Sequence, residues 1–145
     1  MNAVKKIILS LGLVLSGLLA YAQTAPPEIQ SVHPVGVYGE PHLRPGKPVI
    51  VLGKNFSATL SKNRMGLSLM SDNPQVPPPP CEYAGEVHLT LATPTRLEGI
   101  APLSLNDGYY LLWVSVGDVG VSKAVKVWVG TRPSPMPQPI VVARR

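Results

Sequence analysis

Short runs of Val, Leu, Ile and Thr, separated by prolines and glycines, follow one another along the chain from Gln23 to Gly130. No window of helical length in this stretch keeps a three-four apolar period free of Pro and Gly, whereas short apolar runs between turn residues are typical of strands. The pattern therefore predicts an all-β domain with almost no helix. The predicted strands are Ile29 to His33, Val49 to Gly53, Met65 to Met70, Cys81 to Tyr83, Val87 to Thr93, Arg96 to Ile100, Tyr109 to Val116 and Ser122 to Val129.

Three of these regions also indicate how the strands face or pair. Val49 to Leu52 is a continuous apolar run, which indicates a strand near the sheet centre or covered on both faces. Every second residue from Val87 to Leu91 is Val or Leu, which predicts one face in the core and one in water. Asp107-Gly108 and Gly117 to Gly120 are turn signals, so we expect the last two long strands to pair antiparallel.

The first 22 residues have the pattern of a secretory signal peptide. Lys5 and Lys6 precede an apolar stretch from Ile7 to Leu19, and Ala20-Tyr21-Ala22 provides a small-residue cleavage site. The apolar stretch is shorter than the roughly 20 residues that a membrane-spanning helix needs. We therefore expect a mature chain without a transmembrane span, exported to the periplasm, the cell surface or the extracellular space.

Two proline-rich segments are predicted to lie outside the sheets. Ser71 to Pro80 ends in four consecutive prolines, and Arg132 to Pro139 has proline at every second position. Proline has no N–H for a β-ladder and favours an extended polyproline II backbone, so the first segment is a stiff loop and the second a spacer. The predicted division is a signal peptide at 1–22, a β-sandwich domain at 23–130 and a proline-rich basic tail at 131–145.

Composition and charge narrow the function classes. The chain has 145 residues, enough for one domain, and only 14% of them are charged, which excludes a highly charged disordered chain. Its formal charge of +5 comes from its two ends, namely from Lys5, Lys6, Arg132, Arg144 and Arg145. The stretch between them has eight basic and eight acidic residues and is neutral. A neutral domain lacks the electrostatic footprint of a nucleic-acid-binding protein.

The order of several short motifs resembles the IPT/TIG domain family. The opening strand runs from Pro27 to Pro34, and Gly46 leads into Val49 to Phe56, which ends in Gly-Lys-Asn-Phe. Leu97 to Pro102 is similar to the family's strand that ends in proline, and Gly108 to Val129 is similar to its closing hairpin. The resemblance implies an immunoglobulin-like β-sandwich and a role as an adhesion, spacer or binding module, without catalysis. The IPT/TIG domains of transcription factors are poor models for the function of this domain, because this domain has no net charge with which to bind nucleic acid.

The motif around Asn55 has structural interpretations of its own. Gly53 is expected to let the chain leave its strand in a conformation that other residues resist, and Phe56 is expected to plug the end of the core. Asn55-Phe56-Ser57 also fits a glycosylation acceptor, but the resemblance favours a structural turn.

Residues able to do chemistry are scattered. His33, His42 and His88 do not stand at metal-ligand spacing with Cys81 or a carboxylate, and no nucleophile, zinc-protease or phosphate-loop motif occurs. Cys81, the sole cysteine, cannot form an internal disulfide and is either a buried apolar residue or a free or intermolecular thiol. We predict a non-enzymatic protein with no catalytic residues, no metal and no cofactor, and a hydrolase is the remote alternative.

The closing hairpin contains the candidate binding residues. If Tyr110, Leu112, Val114 and Val116 face the core, the alternate residues of both strands face outward. With the turn near Asp118, Trp128 pairs with Tyr109 and Lys126 with Leu111. We call the outward set the aromatic strip; it consists of Tyr109, Leu111, Trp113, Lys126 and Trp128.

Three interpretations of the aromatic strip are open. In the first, the strip has a structural role: the proline-rich loop or the tail covers it, or a one-residue slip turns the tryptophans into the core. Alternatively it binds a protein, since Trp and Tyr are favoured at contacts, or it stacks on a sugar, with Ser115 and Lys126 as polar neighbours. We predict a protein partner in the envelope or outside the cell, with carbohydrate binding as the alternative and no nucleic acid. The last strand is also expected to be an edge that can accept a partner strand.

Overall fold

A computed structural model of the chain describes residues 25–70 and 82–135. The predicted signal peptide, the Ser71 to Pro80 loop, Cys81 and the tail beyond Pro135 lie outside the described residues. Within those two ranges the chain forms a 3₁₀ helix, Leu60–Lys62, and ten strands. The strands are β1 Glu28–His33, β2 His42–Leu43, β3 Pro48–Lys54, β4 Asn63–Leu69, β5 Glu82–Glu86, β6 His88–Thr93, β7 Arg96–Ile100, β8 Gly108–Val116, β9 Gly120–Val121 and β10 Val125–Val129.

The strands form two sheets, and the all-β prediction is confirmed. One sheet has the order β1-β3-β7-β6, and the other has the order β2-β10-β8-β4-β5 with β9 paired to β8. Neighbouring strands are antiparallel except for β2 and β10, which are parallel. The predicted antiparallel pairing of the last two long strands is confirmed in β8 and β10. No helix among the described residues is long and apolar enough to cross a membrane.

Alternate residues of the central strands fill the core between the sheets. Branched and long apolar side chains from both sheets are fully buried there, and burial of such side chains is the main favourable term in folding. Phe56 is 1% exposed and packs into this core, as predicted. The core residues with no exposed surface are Leu43, Val49, Val51, Met65, Leu67, Leu97, Leu112, Val114, Val127 and Val129.

The last predicted strand is interrupted at Ser122. The Ser122 amide donates to the Val114 carbonyl at 2.8 Å, and the Ser122 hydroxyl accepts from the Val114 amide at 3.0 Å. The side chain thus takes the place of a backbone acceptor, so the regular ladder stops and resumes at Val125. The prediction that the last strand is an edge is wrong, because β2 pairs with β10 on its outer side.

A register shift in β6 corrects the predicted alternation after Leu89. Val87 is buried and Leu89 is partly buried, as predicted, but Leu91 is 40% exposed and Ala92 packs against the core. The pairing with β7 shifts between Leu89 and Leu91. An extra residue in one strand reverses the faces of all residues that follow it, which accounts for the error.

The turn after β3 has the predicted structural role, but Asn55 and Gly53 contribute to it differently from the prediction. Asn55, not Gly53, adopts the left-handed conformation, with φ of 61°, and its side-chain amide donates to the Pro26 carbonyl at 3.1 Å. Gly53 is required for close approach instead, since a Cβ there would overlap the carbonyl oxygen of Glu28 on β1. Asn55 therefore acts as a structural turn residue.

Gly53→Ala should lower the free energy of unfolding by about 2 kcal/mol, because β1 must move to admit the new methyl group. Urea denaturation measures the change. The matched control is Gly108→Ala, whose Cβ would lie 3.7 Å from the Tyr110 ring in ordinary contact; it should change stability by no more than about 0.5 kcal/mol. Equal effects of the two substitutions would contradict the close-approach argument.

Candidate functional site

The structure confirms the predicted facing and register of the aromatic strip. On β8 Tyr110, Leu112, Val114 and Val116 are buried, and the residues between them lie on the outer face, where they are partly buried. Trp128 pairs with Tyr109, and Lys126 pairs with Leu111. The alternative in which a slip places the tryptophans in the core is therefore wrong. The five predicted residues form one continuous surface across two neighbouring strands.

Trp113 lies flat on the neighbouring strand β4. It is paired with Gly66, and a Cβ on Gly66 would overlap several atoms of the indole ring. The indole Nε1 donates to the hydroxyl of Ser68 at 3.2 Å. Gly66 and Ser68 are alternate residues of one strand, so small side chains on this face leave room for the ring. The indole is held in a defined orientation before any partner binds.

The other end of the strip is a second aromatic group. The rings of Tyr109 and Trp128 meet edge to face, with centroids 5.0 Å apart and an angle of 69° between their planes. Lys126 Nζ lies 4.0 Å from the centroid of the Tyr109 ring, within the range of a cation–π interaction. Edge-to-face pairing and the cation both restrain these rings.

The first residues of the tail lie against this end of the strip. Trp128 Nε1 donates to the carbonyl of Arg132 at 2.9 Å, and the Thr131 amide donates to Asp107 Oδ1 at 3.3 Å. The Ser134 hydroxyl donates to Glu40 Oε1, and Ser134 is 7% exposed. The described part of the tail therefore contacts Trp128. No hydrogen bond joins Trp113 to residues 131–135.

Tyr109 is electrostatically coupled to the loop that precedes β2. Burial raises the pKa of Tyr109 above its ordinary value of 10.0, and the negative charge of Glu40 raises it further. A hydrogen bond with Ser134 opposes these two effects. Tyr109, Glu40 and Ser134 thus meet at one point, although they come from three distant parts of the chain.

Apolar residues that the sequence analysis did not single out flank the strip. Val121 on β9 pairs with Ser115 and is 58% exposed, and Tyr83 on β5 pairs with Ser68 and is 55% exposed. Both were missed because neither strand is long enough to show a periodic pattern. Only the three-dimensional structure shows that they flank the strip, because it pairs Val121 with Ser115 of β8 and Tyr83 with Ser68 of β4.

The described histidines and carboxylates do not converge on a reaction centre. In the ranges that the structure describes, no three His, Cys, Asp or Glu side chains are grouped as metal ligands. His42 Nε2 lies 2.9 Å from the Gly130 carbonyl and is buried, so it links β2 to the end of β10. Glu86 pairs with Arg64, and Glu98 pairs with Arg96 at 2.6 Å. These groups have structural partners.

Two cavities among the described residues are lined by none of the five strip residues. One of about 300 Å³, at the end of the core near Phe56, is lined mainly by apolar groups and by Lys54 and Asn55. A more open cleft of about 450 Å³ separates β1 from β9 and is lined by Glu28, Val121 and Lys123 among others. Neither combines the convergent polar groups with shifted pKa values that indicate a catalytic pocket.

The fold defines the class of this protein as an all-β domain of two sheets. No family model matches the chain, and no curated protein matches it. Among solved structures it is similar to a structural genomics protein of unknown function from Bacteroides thetaiotaomicron, with 19% identity and a TM-score of 0.50 over 74% of this chain and 23% of that one. It is also similar to a DUF4784 family protein from Bacteroides caccae, with 13% identity and a TM-score of 0.48 over 74% of this chain and 25% of that one. The chain spans about a quarter of the length of each structure, and the first likeness supports the fold alone.

Glu40→Gln should lower the pKa of Tyr109 toward the ordinary tyrosine value, because it removes a nearby negative charge and retains an acceptor for Ser134. A raised pKa means that folding favours the neutral phenol, so this contribution to stability is lost as the pH rises through the folded-state pKa. Titration of ¹³Cζ-labelled tyrosine by NMR measures the pKa values of Tyr109 and Tyr110 in the parent chain and in the variant. Tyr110, whose pKa is raised by burial and by Asp107, is the internal control and should not move; equal changes in the two residues would contradict the assignment.

Proposed function

We propose that this chain is an exported, non-enzymatic binding or assembly module of the cell envelope or extracellular space, and that it contacts a protein partner through the aromatic strip. The observation that carries the proposal is the strip itself, a row of restrained aromatic side chains on the outer face of a sheet. We further propose that the domain is an immunoglobulin-like sandwich of IPT/TIG type preceded by a signal peptide.

The strand order supports the immunoglobulin-like assignment. In such folds the first, second, fifth and fourth main strands form one sheet, and the third, sixth and seventh form the other. When the two-residue strands and β5 are set aside, β1-β3-β7-β6 and β4-β8-β10 have this order. The strip then belongs to the sheet that contains the third, sixth and seventh strands.

The state of the aromatic rings supports a binding role. Tyr and Trp have few rotatable bonds, and Trp113 is already fixed by Gly66 and Ser68, so little conformational entropy is lost when a partner covers them. Leu111 joins the Trp113 end of the strip to the Trp128 end. Such a central apolar row beside polar residues is the anatomy of a protein contact surface.

Carbohydrate binding is the second candidate, and the orientation of Trp113 is the observation that favours it. Because one face of the indole lies on Gly66, the opposite face is directed away from the sheet and can stack on a sugar ring. Hydroxyl groups of a sugar also need polar partners. Ser68 already accepts from the indole, which leaves Ser115 and Lys126 nearby. The protein partner is therefore the first candidate, and a glycan array with tryptophan fluorescence titration tests the second.

Leu111→Glu should reduce the affinity for an envelope or extracellular partner at least tenfold, because it buries a charge in the centre of the contact. The partner is identified by cross-linking to the full chain, and its dissociation constant is then measured for each variant. Leu103→Glu is the matched control: Leu103 is 84% exposed and lies in the connection between β7 and β8. The same affinity for both variants, at unchanged thermal stability, would contradict the proposal.

Replacing both Trp113 and Trp128 by Ala separates binding from folding. We expect the double variant to lose the partner while its far-ultraviolet circular dichroism spectrum keeps the β-sheet form. If the double variant unfolds, the tryptophans are part of the structural core and the strip is not a docking surface.

A further inference from the structure

One segment of this chain already contacts the aromatic strip, at Trp128 and Tyr109. Residues 131–135 follow β10 and contain the start of the alternating proline repeat, Arg132-Pro133-Ser134-Pro135. The carbonyl of Arg132 accepts the Trp128 indole N–H, and two residues later the Ser134 hydroxyl donates to Glu40. Trp128 of the strip thus contacts the repeat at Arg132, and Tyr109 of the strip contacts it together with Glu40 at Ser134.

The spacing of these two contacts matches the period of the repeat. Prolines occupy the positions after Arg132 and after Ser134, and they have no N–H to pair with a neighbouring strand. The carbonyl of Arg132, which precedes the first of these prolines, accepts the hydrogen bond from the Trp128 indole. Proline-rich segments dock in aromatic-lined grooves with a small entropic cost, because proline already restricts the backbone of the unbound segment.

The attachment of the tail consists of hydrogen bonds without strand pairing. Its described residues are held by four hydrogen bonds, which join Arg132 to Trp128, Thr131 to Asp107, and Ser134 to both Glu40 and Tyr109, and they pair with no strand. Its tether to β10 gives it a high effective concentration at the strip, in the millimolar range for a short linker. A ligand from another molecule must therefore compete with a segment that is always near.

We propose that the partner recognised by the strip is an extended segment with alternating prolines, and that residues 132–135 occupy its place in the free protein as an intramolecular competitor. The inference rests on the proposed function, since it names the partner chemistry of the same surface. Trp128 binds a backbone carbonyl of the segment. Glu40 selects a hydroxyl or another donor two residues further on, between two prolines.

The test uses the full chain and a synthetic peptide of residues 131–139, and the ¹H–¹⁵N signals of the two indole groups report binding. Ser134→Ala in the protein should increase the affinity for the peptide about tenfold, because its own tail loses a hydrogen bond to a carboxylate. The peptide should shift the Trp128 signal and leave the Trp113 signal in place. A peptide with Ala in place of its own serine should bind about tenfold more weakly.

Trp128→Phe and Trp113→Phe form the matched pair. Trp128→Phe retains a ring but loses the donor to the carbonyl, so we expect about a tenfold loss of peptide affinity. Trp113→Phe should have no comparable effect, because the Trp113 donor is bonded to Ser68. The inference is overturned if Trp128→Phe binds the peptide as well as the parent chain does, or if Ser134→Ala does not strengthen binding.

The remaining outcomes separate this inference from the function on which it rests. If Leu111→Glu loses the envelope partner but the peptide does not bind, the surface is a docking site and the proline specificity is wrong. If the peptide binds as expected but Leu111→Glu keeps the partner, the protein contact lies elsewhere and the proposed function is wrong. If Ser134→Ala instead forms dimers in sedimentation, the segment is exchanged between copies of this chain and the external partner is overturned.

Discussion

The unbroken pairing of β8 with a strand on each side is the constraint on which the rest of the structure depends. Seven residue pairs join it to β4 and five join it to β10. Since side chains alternate strictly along a strand, a slip by one residue would expose four core residues and bury the strip. The two ladders therefore fix the core and the candidate binding surface at the same time. Neither can be changed without the other.

The register of the hairpin formed by β8 and β10 was predictable because residues close together in the sequence determine it. Asp107-Gly108 marks the start of β8, Gly117 to Gly120 marks its end, and the alternation between these turns leaves one consistent pairing. The interruption at Ser122 was not predictable, since it depends on the Ser122 hydroxyl reaching the Val114 amide. The reversed facing of Leu91 has the same kind of cause, because the irregular pairing of β6 with β7 is not visible in either strand alone.

The surroundings of the strip were hidden from the sequence because they join distant segments. Trp113 and Ser68 are 45 residues apart, and Ser134 and Glu40 are 94 residues apart. Alternation identifies which side of β8 a residue faces, but not which neighbouring strand leaves room for its ring. The small residues Gly66 and Ser68 carried a weak signal, since they alternate with Met65 and Leu67 of the core. That signal gains meaning only when β4 is known to lie beside β8.

The balance of charge bears on how the proposed binding surface selects a partner. The stretch from Gln23 to Gly130 has no formal net charge, and the cation of Lys126 is directed at the Tyr109 ring. Long-range attraction therefore contributes little, and selectivity depends on directed contacts and on the exclusion of water. A bare aromatic row would also favour contacts between copies of the chain. In the proposed arrangement the tail on Trp128 limits such contacts, because a competing segment must replace its hydrogen bonds as well as cover the rings.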